Sequence, residues 1–103
     1  MQRPGGYVQE IGGLMLTPVF TTRFKKDMKR MLARGCESEN IKNVMRDLIA
    51  GKPLDRKCRD HILIGNFNDR RECHIKSDWL LIYRFDESRI IFERTGTHAD
   101  LFR

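Results

Sequence analysis

Residues 79–85 (WLLIYRF) constrain the fold most, because six of the seven are apolar. A strand alternates its side chains between the two faces of a sheet, so this strand needs cover on both faces and is expected to lie centrally. Alternating segments at 70–76 and 90–95 flank it, separated by turn residues at 77–78 and 86–88. The pattern predicts an antiparallel meander with 79–85 as its central strand.

Two amphipathic helices are predicted before the meander. Thr21 or Thr22 can N-cap the first helix, which is expected to end at Gly35. Ser38 can N-cap the second helix, which is expected to end at Gly51. The apolar positions recur at helical spacing in both segments: Phe24, Met28, Met31 and Leu32, then Ile41, Val44, Met45, Leu48 and Ile49. Each helix therefore presents one apolar face to a core.

Residues 15–103 are expected to form one domain, since a chain of 103 residues has little room for a second core. Residues 1–14 show neither helical nor strand periodicity and are expected to form a disordered extension. Residues 16–20 are predicted to form a short strand, in which Pro18 favours an edge position, and residues 54–68 a polar connection. The order of elements predicts an α+β fold, with a short N-terminal strand and a two-helix hairpin packed on an antiparallel β-meander sheet.

The chain is basic, since 20 Lys and Arg against 14 Asp and Glu give a net charge of +6. This excess favours a polyanionic partner or an acidic protein. Cys36, Cys58 and Cys73 are widely spaced and include no CxxC pair, which argues against a disulfide framework or a structural zinc site and favours a reducing cytoplasm. The longest apolar run, 79–83, is far too short to span a bilayer. We expect a cytoplasmic protein with no cofactor, no metal and no membrane association.

All three histidines, His61, His74 and His98, lie in the second half of the chain. Histidine can accept or donate a proton near neutral pH, and arginine is shaped to hold a phosphate. Three arginines near the histidines in sequence are candidate phosphate ligands: Arg70, Arg71 and Arg94. Proton-transfer groups beside fixed positive charge, in so short and basic a chain, suggest chemistry on RNA.

Side-chain alternation predicts that these groups meet on one face of the sheet. The polar set of the strand beginning at Arg70 includes Glu72, His74 and Lys76, and it should emerge opposite the helices. The turn after this strand places Asp78 and Trp79 close behind His74. The segment after the last strand can return His98 and Phe102 to the same face, and His61 can reach it from its loop.

Such a patch suits metal-free cleavage of RNA. A base must take the proton of a ribose 2′-hydroxyl, an acid must protonate the leaving 5′-oxygen, and cations must stabilise the charged phosphorane. Two histidines, or a histidine and an aspartate, suit the proton transfers. An aromatic ring such as Trp79 or Phe102 can stack on a base and hold the nucleotide for in-line attack.

Two stretches carry a resemblance to a known family. Residues 74–83 (HIKSDWLLIY) and 94–102 (RTGTHADLF) resemble the YafQ-type toxins of bacterial type II toxin–antitoxin systems, in the RelE/ParE superfamily. The resemblance runs from about Met15 to the C-terminus, and Asp60, His61 and Gly65 add a third anchor. Ser77 departs from the family, which often has proline there.

The resemblance implies a toxin that is a ribosome-dependent endoribonuclease, cutting messenger RNA in the ribosomal A site without a metal. It implies a cognate antitoxin that neutralises the toxin, and operator DNA as a further partner of the complex. Catalytic or substrate-contacting roles are carried onto six positions: His61, His74, Asp78, Trp79, His98 and Phe102.

The division of roles stays open at this point. His74 and His98 are expected to transfer protons, with Asp78 and His61 as alternative base or orienting groups, and sequence does not say which group is the acid. Two other functions compete with the nuclease: a ParE-like inhibitor of DNA gyrase with the same fold, and an RNA-binding module that does not cut. The set of three histidines argues against the gyrase inhibitor.

Overall fold

The computed structural model describes residues 15–65 and 69–102. The extension predicted at 1–14 lies outside the described residues. Among those residues, no helix is long and apolar enough to cross a membrane. The elements, in chain order, are β1 (Thr17–Phe20), α1 (Thr22–Ala33), α2 (Ser38–Ile49), a 3-10 turn (Arg56–Cys58), β2 (His61–Ile62), β3 (Arg71–Lys76), β4 (Trp79–Asp86), β5 (Arg89–Gly96) and α3 (His98–Phe102).

The five strands form one sheet in the order β1-β5-β4-β3-β2. β3, β4 and β5 make the predicted antiparallel meander, and β4 is its central strand. β1 lies at the sheet edge, as Pro18 indicated, and pairs in parallel with β5. The predicted α+β class and element order are confirmed.

The helix boundaries follow from their capping residues. The hydroxyl of Thr21 accepts the backbone N–H of Phe24 at 3.0 Å, which fixes the start of α1 as predicted. α1 ends at Ala33, and Gly35 follows the cap residue Arg34 with a φ of 94°, a backbone conformation that glycine adopts readily and other residues rarely do. The prediction for α2 was wrong by one residue, because Ser38 is already helical and Glu37 holds the cap position without a side-chain hydrogen bond.

Two short elements of the structure, β2 and α3, were not predicted from the sequence. The connection expected at 54–68 contains the 3-10 turn and β2, which adds an antiparallel edge through the pairs His61↔Glu72 and Ile62↔Arg71. The segment after β5 is the helix α3 and not a loop. Elements of two and five residues are too short to show a periodicity, so hydrophobic periodicity could not predict them.

The main core lies between the helices and one face of the sheet. Its buried members are Phe24, Met31, Ile41, Leu48, Cys58, Cys73, Trp79, Leu81, Tyr83, Ile90 and Phe92. The opposite face carries the polar set of β3 and also the second apolar side of β4, as expected of a strand that needs cover on both faces. Leu80 and Ile82 are buried there beneath Leu101 of α3, with Leu63 packed beside them. This second apolar cluster seats α3 on the sheet and so places the residues that α3 carries.

Candidate active site

His74 and His98 lie side by side, on β3 and at the start of α3. Their ring centroids are 6.1 Å apart and the rings meet edge to face. His74 is paired with Leu80 of β4, and Leu80 is paired in turn with Gly96, the last residue of β5. The chain turns into α3 directly after Gly96, so the sheet register brings the two imidazoles together. The convergence predicted from side-chain alternation is present.

Asp78 fixes the orientation of the His98 ring. The turn between β3 and β4 carries Asp78, whose Oδ1 accepts the backbone N–H of His98 at 3.0 Å and lies 2.8 Å from its Nδ1. Both hydrogen bonds lower the pKa of Asp78, and the one from the backbone N–H contributes most. Because Nδ1 donates its proton to this carboxylate, Nε2 on the far side of the ring is left to accept or donate the reacting proton.

Glu72 is a member of the site to which sequence reasoning gave no role. Its side chain is buried, and its Oε1 lies 3.3 Å from Nε2 of His61 and 4.0 Å from Nε2 of His74. The carboxylate therefore stands between two imidazoles. The signal was present in the sequence, since Glu72 precedes His74 by two residues on the same strand face.

His61 is held through both ring nitrogens. Its Nδ1 lies 2.7 Å from the backbone carbonyl oxygen of Arg59, and its Nε2 faces Glu72. A backbone carbonyl can only accept, so Nδ1 carries the proton in that contact. About half of the His61 side chain is exposed. The ring lies at the β2 edge of the patch and reaches it as predicted.

Asp60 ties the strand of His61 to the sheet. Its carboxylate accepts two hydrogen bonds from Arg71, each of 3.2 Å, and one of 2.6 Å from the hydroxyl of Tyr83. Burial, and then the bond to Asp60, raise the pKa of Tyr83, so its hydroxyl stays protonated as the donor. This network anchors residue 60 and with it the ring that follows.

The three arginines predicted to hold phosphate all contact carboxylates of the protein instead. The pairs are Arg70–Glu93, Arg71–Asp60 and Arg94–Asp27. Glu93 is shared by Arg70 and Arg84, so that cluster keeps one positive charge in excess. Arg94 is bound at 2.7 Å to the buried Asp27 and is mostly covered. A phosphate would have to share these guanidinium groups with the carboxylates or displace them.

Trp79, predicted to stack on a nucleotide base, is packed inside the protein in this structure. Its ring is only 4% exposed and belongs to the core on the helix side. Its Nε1 donates a 2.8 Å hydrogen bond to the hydroxyl of Thr95, which in turn donates to the carbonyl of Leu80 at 2.6 Å. Alternation along β4 explains the burial, because residues 79, 81 and 83 share the face turned to the helices.

Phe102 is the aromatic side chain that the structure does leave beside the histidines. It ends α3, with its ring centroid 6.2 Å from that of His98, and is 42% exposed. A base can stack on such a ring without unfolding anything around it. The patch thus combines two adjacent imidazoles, a carboxylate that orients one of them, and an aromatic platform.

Known proteins match nearly all of the described chain. The family model described as "Bacterial toxin of type II toxin-antitoxin system, YafQ" matches residues 16–103. The mRNA interferase toxin YafQ of Escherichia coli K12 is 37% identical over 84 residues, covering 81% of this chain and 91% of that protein.

Solved structures agree with the sequence comparison. The toxin in the crystal structure of the E. coli DinJ-YafQ toxin-antitoxin complex has a TM-score of 0.81 and 34% identity, over 87% of this chain and 100% of that one. A metal-bound toxin from Helicobacter pylori has a TM-score of 0.81 and 36% identity, over 85% of this chain and 100% of that one. The chain belongs to the YafQ family of bacterial type II toxin–antitoxin toxins.

Proposed function

We propose that this toxin is an mRNA interferase, an endoribonuclease that cuts messenger RNA and so stops translation. The observation that carries the proposal is the pair of imidazoles 6.1 Å apart, one of them oriented by Asp78. The E. coli relative bears the name mRNA interferase, which supports the same activity. Ribosome-bound messenger RNA in the A site is the proposed substrate, and the cytoplasm is then the proposed location.

The proposed reaction is a transesterification that needs no metal. The ribose 2′-oxygen attacks phosphorus, the P–O5′ bond breaks, and the products are a 2′,3′-cyclic phosphate and a free 5′-hydroxyl. One imidazole takes the 2′-hydroxyl proton, and the other gives a proton to the departing 5′-oxygen. Positive charge on a protonated imidazole also stabilises the phosphorane.

The surroundings of each ring give it a role in this reaction. Asp78 keeps the His98 ring in one orientation through its contact with Nδ1. Glu72 lies within 4.0 Å of both His61 and His74 and can orient their rings in the same way. Phe102 would stack on a base next to the cut bond, adding about 1–3 kcal/mol of binding free energy.

Charge supports a polyanionic substrate and an acidic neutralising partner. α1 exposes Lys25, Lys26 and Lys29, and the whole chain carries a net charge of +6. Such a surface accelerates encounter with RNA in a salt-dependent way. The E. coli relative is solved in complex with the antitoxin DinJ. We propose that a cognate antitoxin likewise binds this chain, and that the complex binds operator DNA.

Translating ribosomes with mapped mRNA ends test the proposal. Wild-type protein should cut in the A site, while His98→Ala should bind ribosomes and leave the message intact. Arg89→Gln, at the opposite end of β5 from Gly96, is the control and should cut normally. Intact messages with inhibited gyrase supercoiling would support the ParE-like alternative. Ribosome or RNA binding without cutting would support the non-catalytic module.

The chemical groups at the ends of the cut RNA test whether cleavage needs a metal. This test does not require removing the Mg²⁺ that ribosomes need. Cyclic phosphate and 5′-hydroxyl ends, made equally well after treatment with a chelator selective for transition metals, are expected. Ends with 3′-hydroxyl and 5′-phosphate groups would refute metal-free transesterification. A substrate with sulfur in place of the leaving 5′-oxygen separates the two rings, since it restores only the variant that lacks the general acid.

A further inference from the structure

We propose that the ion pair between Arg34 and Asp100 is a positioning device that holds His98 in its working orientation, an inference that rests on the proposed function. Arg34 follows the last turn of α1, and Asp100 lies in the middle of α3. Nη1 of Arg34 is 2.7 Å from Oδ2 of Asp100, and Nη2 is 3.1 Å from Oδ1. The pairing is bidentate, the geometry that holds a carboxylate most firmly.

The same carboxylate shapes the turn that leads into His98. Oδ2 of Asp100 accepts the backbone N–H of Thr97 at 3.0 Å, and the Thr97 hydroxyl accepts the backbone N–H of Asp100 at 3.1 Å. This reciprocal arrangement is a capping box, with an aspartate in the place of the usual glutamate. His98 lies between its two members. Asp100 therefore joins the α3 start, and the imidazole on it, to the end of α1.

The fold is built to admit this contact. A Cβ on Gly96 would lie 2.9 Å from Cβ of Asp100 and 3.0 Å from its Oδ2, so only glycine leaves room for the side chain above the end of β5. Nη2 of Arg30 lies 3.8 Å from the same carboxylate and adds a second positive charge. Three separate elements thus meet at one carboxylate: α1, the end of β5 and α3.

The Arg34–Asp100 ion pair acts as a clamp on the start of α3, and protonation of its carboxylate does not break this clamp near neutral pH. The hydrogen bond from Arg34, and then the backbone N–H of Thr97, hold the pKa of Asp100 far below its usual range. The carboxylate contributes fully above the ordinary carboxyl pKa and is lost only as the pH falls through the lowered value. The clamp is therefore set throughout the range in which imidazoles exchange protons.

An exposed ion pair can also be a mere surface contact, because most such pairs contribute little. A matched control exists on α2, where Arg46 and Glu39 form an exposed pair of 3.3 Å. α2 contacts β3 in the main core, and neither residue takes part in the patch. Arg46→Gln removes one positive charge, as Arg34→Gln does, without touching α3.

Cleavage kinetics on programmed ribosomes test the proposal with Asp100→Asn, Arg34→Gln and Arg46→Gln. We expect kcat to fall about tenfold in the first two variants, as a slightly misplaced reacting group would cause, with KM within about twofold. Arg34→Lys should recover part of kcat, and Arg46→Gln should match the wild type. Unchanged kcat in both clamp variants would overturn the proposal, and a rise in KM alone would make Arg34 an RNA contact instead.

NMR of the histidine ring gives a readout that does not depend on cleavage. In the folded wild type the Nδ1 proton of His98 should be slow to exchange, because Asp78 holds it. Asp100→Asn should speed this exchange while the far-ultraviolet circular dichroism stays the same, and Arg46→Gln should not. If the wild type cut no RNA, the proposed function would fail, and this exchange measurement alone would decide the clamp. Unaltered exchange in Asp100→Asn would refute it.

Discussion

Trp79→Phe should weaken the fold and leave the chemistry nearly intact. The indole is buried in the main core and gives its only N–H to Thr95. Phenylalanine keeps an aromatic ring at the position but has no donor and less volume. If the ring packs and does not touch RNA, the free energy of unfolding must fall while kcat per folded molecule stays within about twofold of the wild type.

The size of the loss follows from two contributions. Removing the N–H leaves the buried hydroxyl of Thr95 with one donor fewer, which costs about 1–3 kcal/mol. The smaller ring adds a cavity cost, below the roughly 3–5 kcal/mol of a full truncation of Trp or Phe to alanine. We therefore expect a total of about 2–4 kcal/mol. Domains of this size have about 5–15 kcal/mol in all, so the variant should still fold.

Phe102→Leu provides the opposite pattern. The ring is 42% exposed, so the change should alter the free energy of unfolding by no more than about 0.5 kcal/mol. Losing a stacked base should lower kcat/KM by about 5- to 150-fold, the equivalent of about 1–3 kcal/mol. The two aromatic side chains would then divide packing and substrate contact between them.

Urea unfolding and cleavage assays measure both quantities. Trp79 is the single tryptophan of the chain, so unfolding must be followed by far-ultraviolet circular dichroism and not by fluorescence. The reasoning would be refuted by a Trp79→Phe protein that keeps its urea midpoint and loses cleavage. That result would mean that the indole leaves the core to meet the substrate.

Three further substitutions test the hydrogen bonds around the histidines. Asp78→Asn should lower the cleavage rate while KM stays nearly constant. The upper limit of the loss is the roughly 10²–10⁴-fold that a positioned proton-transfer group contributes. Loss of ribosome binding instead would contradict an orienting role. Glu72→Gln should lower cleavage, because His61 loses its charged partner, and a wild-type rate on ribosomes would remove Glu72 from the site. Tyr83→Phe should cost about 1–2 kcal/mol in urea unfolding through the lost bond to Asp60, and an unchanged midpoint would contradict it.

The larger elements could be predicted because each is long enough to repeat its pattern. α2 buries the apolar face expected of it, and α1 does so except at Leu32, which is 44% exposed. β4 is central because it is apolar on both faces. α3 has five residues and no visible period. Its capping box, Thr97 followed three residues later by Asp100, was the readable signal for a helix start. β2 is defined only by its pairing with β3, and a segment of two residues carries no sequence pattern that predicts a pairing partner.

The site was predictable where residues lie close along the chain and not where distant segments meet. The turn puts Asp78 near β3, and alternation put His74 on the correct face. The ion pairs of the arginines could not be predicted, because their carboxylate partners come from remote positions, as Asp27 of α1 does for Arg94. The burial of Trp79 could not be predicted from the motif, because a motif records that a residue is required and does not say whether it packs or binds.

The pH dependence of cleavage should report the imidazoles alone, because carboxylates position them. The pKa values of Asp78 and Asp100 are both lowered in the folded protein, the first chiefly by the backbone N–H of His98 and the second by Arg34. Their contributions are therefore complete above the ordinary carboxyl value of about 4 and fade only below it.

Between about pH 5 and 8 the clamps on His98 should stay constant while imidazoles exchange protons. A rate profile on ribosomes should then be bell-shaped, because one imidazole must act as the base and the other as the acid. The Asp100→Asn profile should keep both limbs and lose only height. A limb that moves in that variant would show that the Asp100 carboxylate sets the proton affinity of His98 as well as its position, and would contradict a purely positioning role.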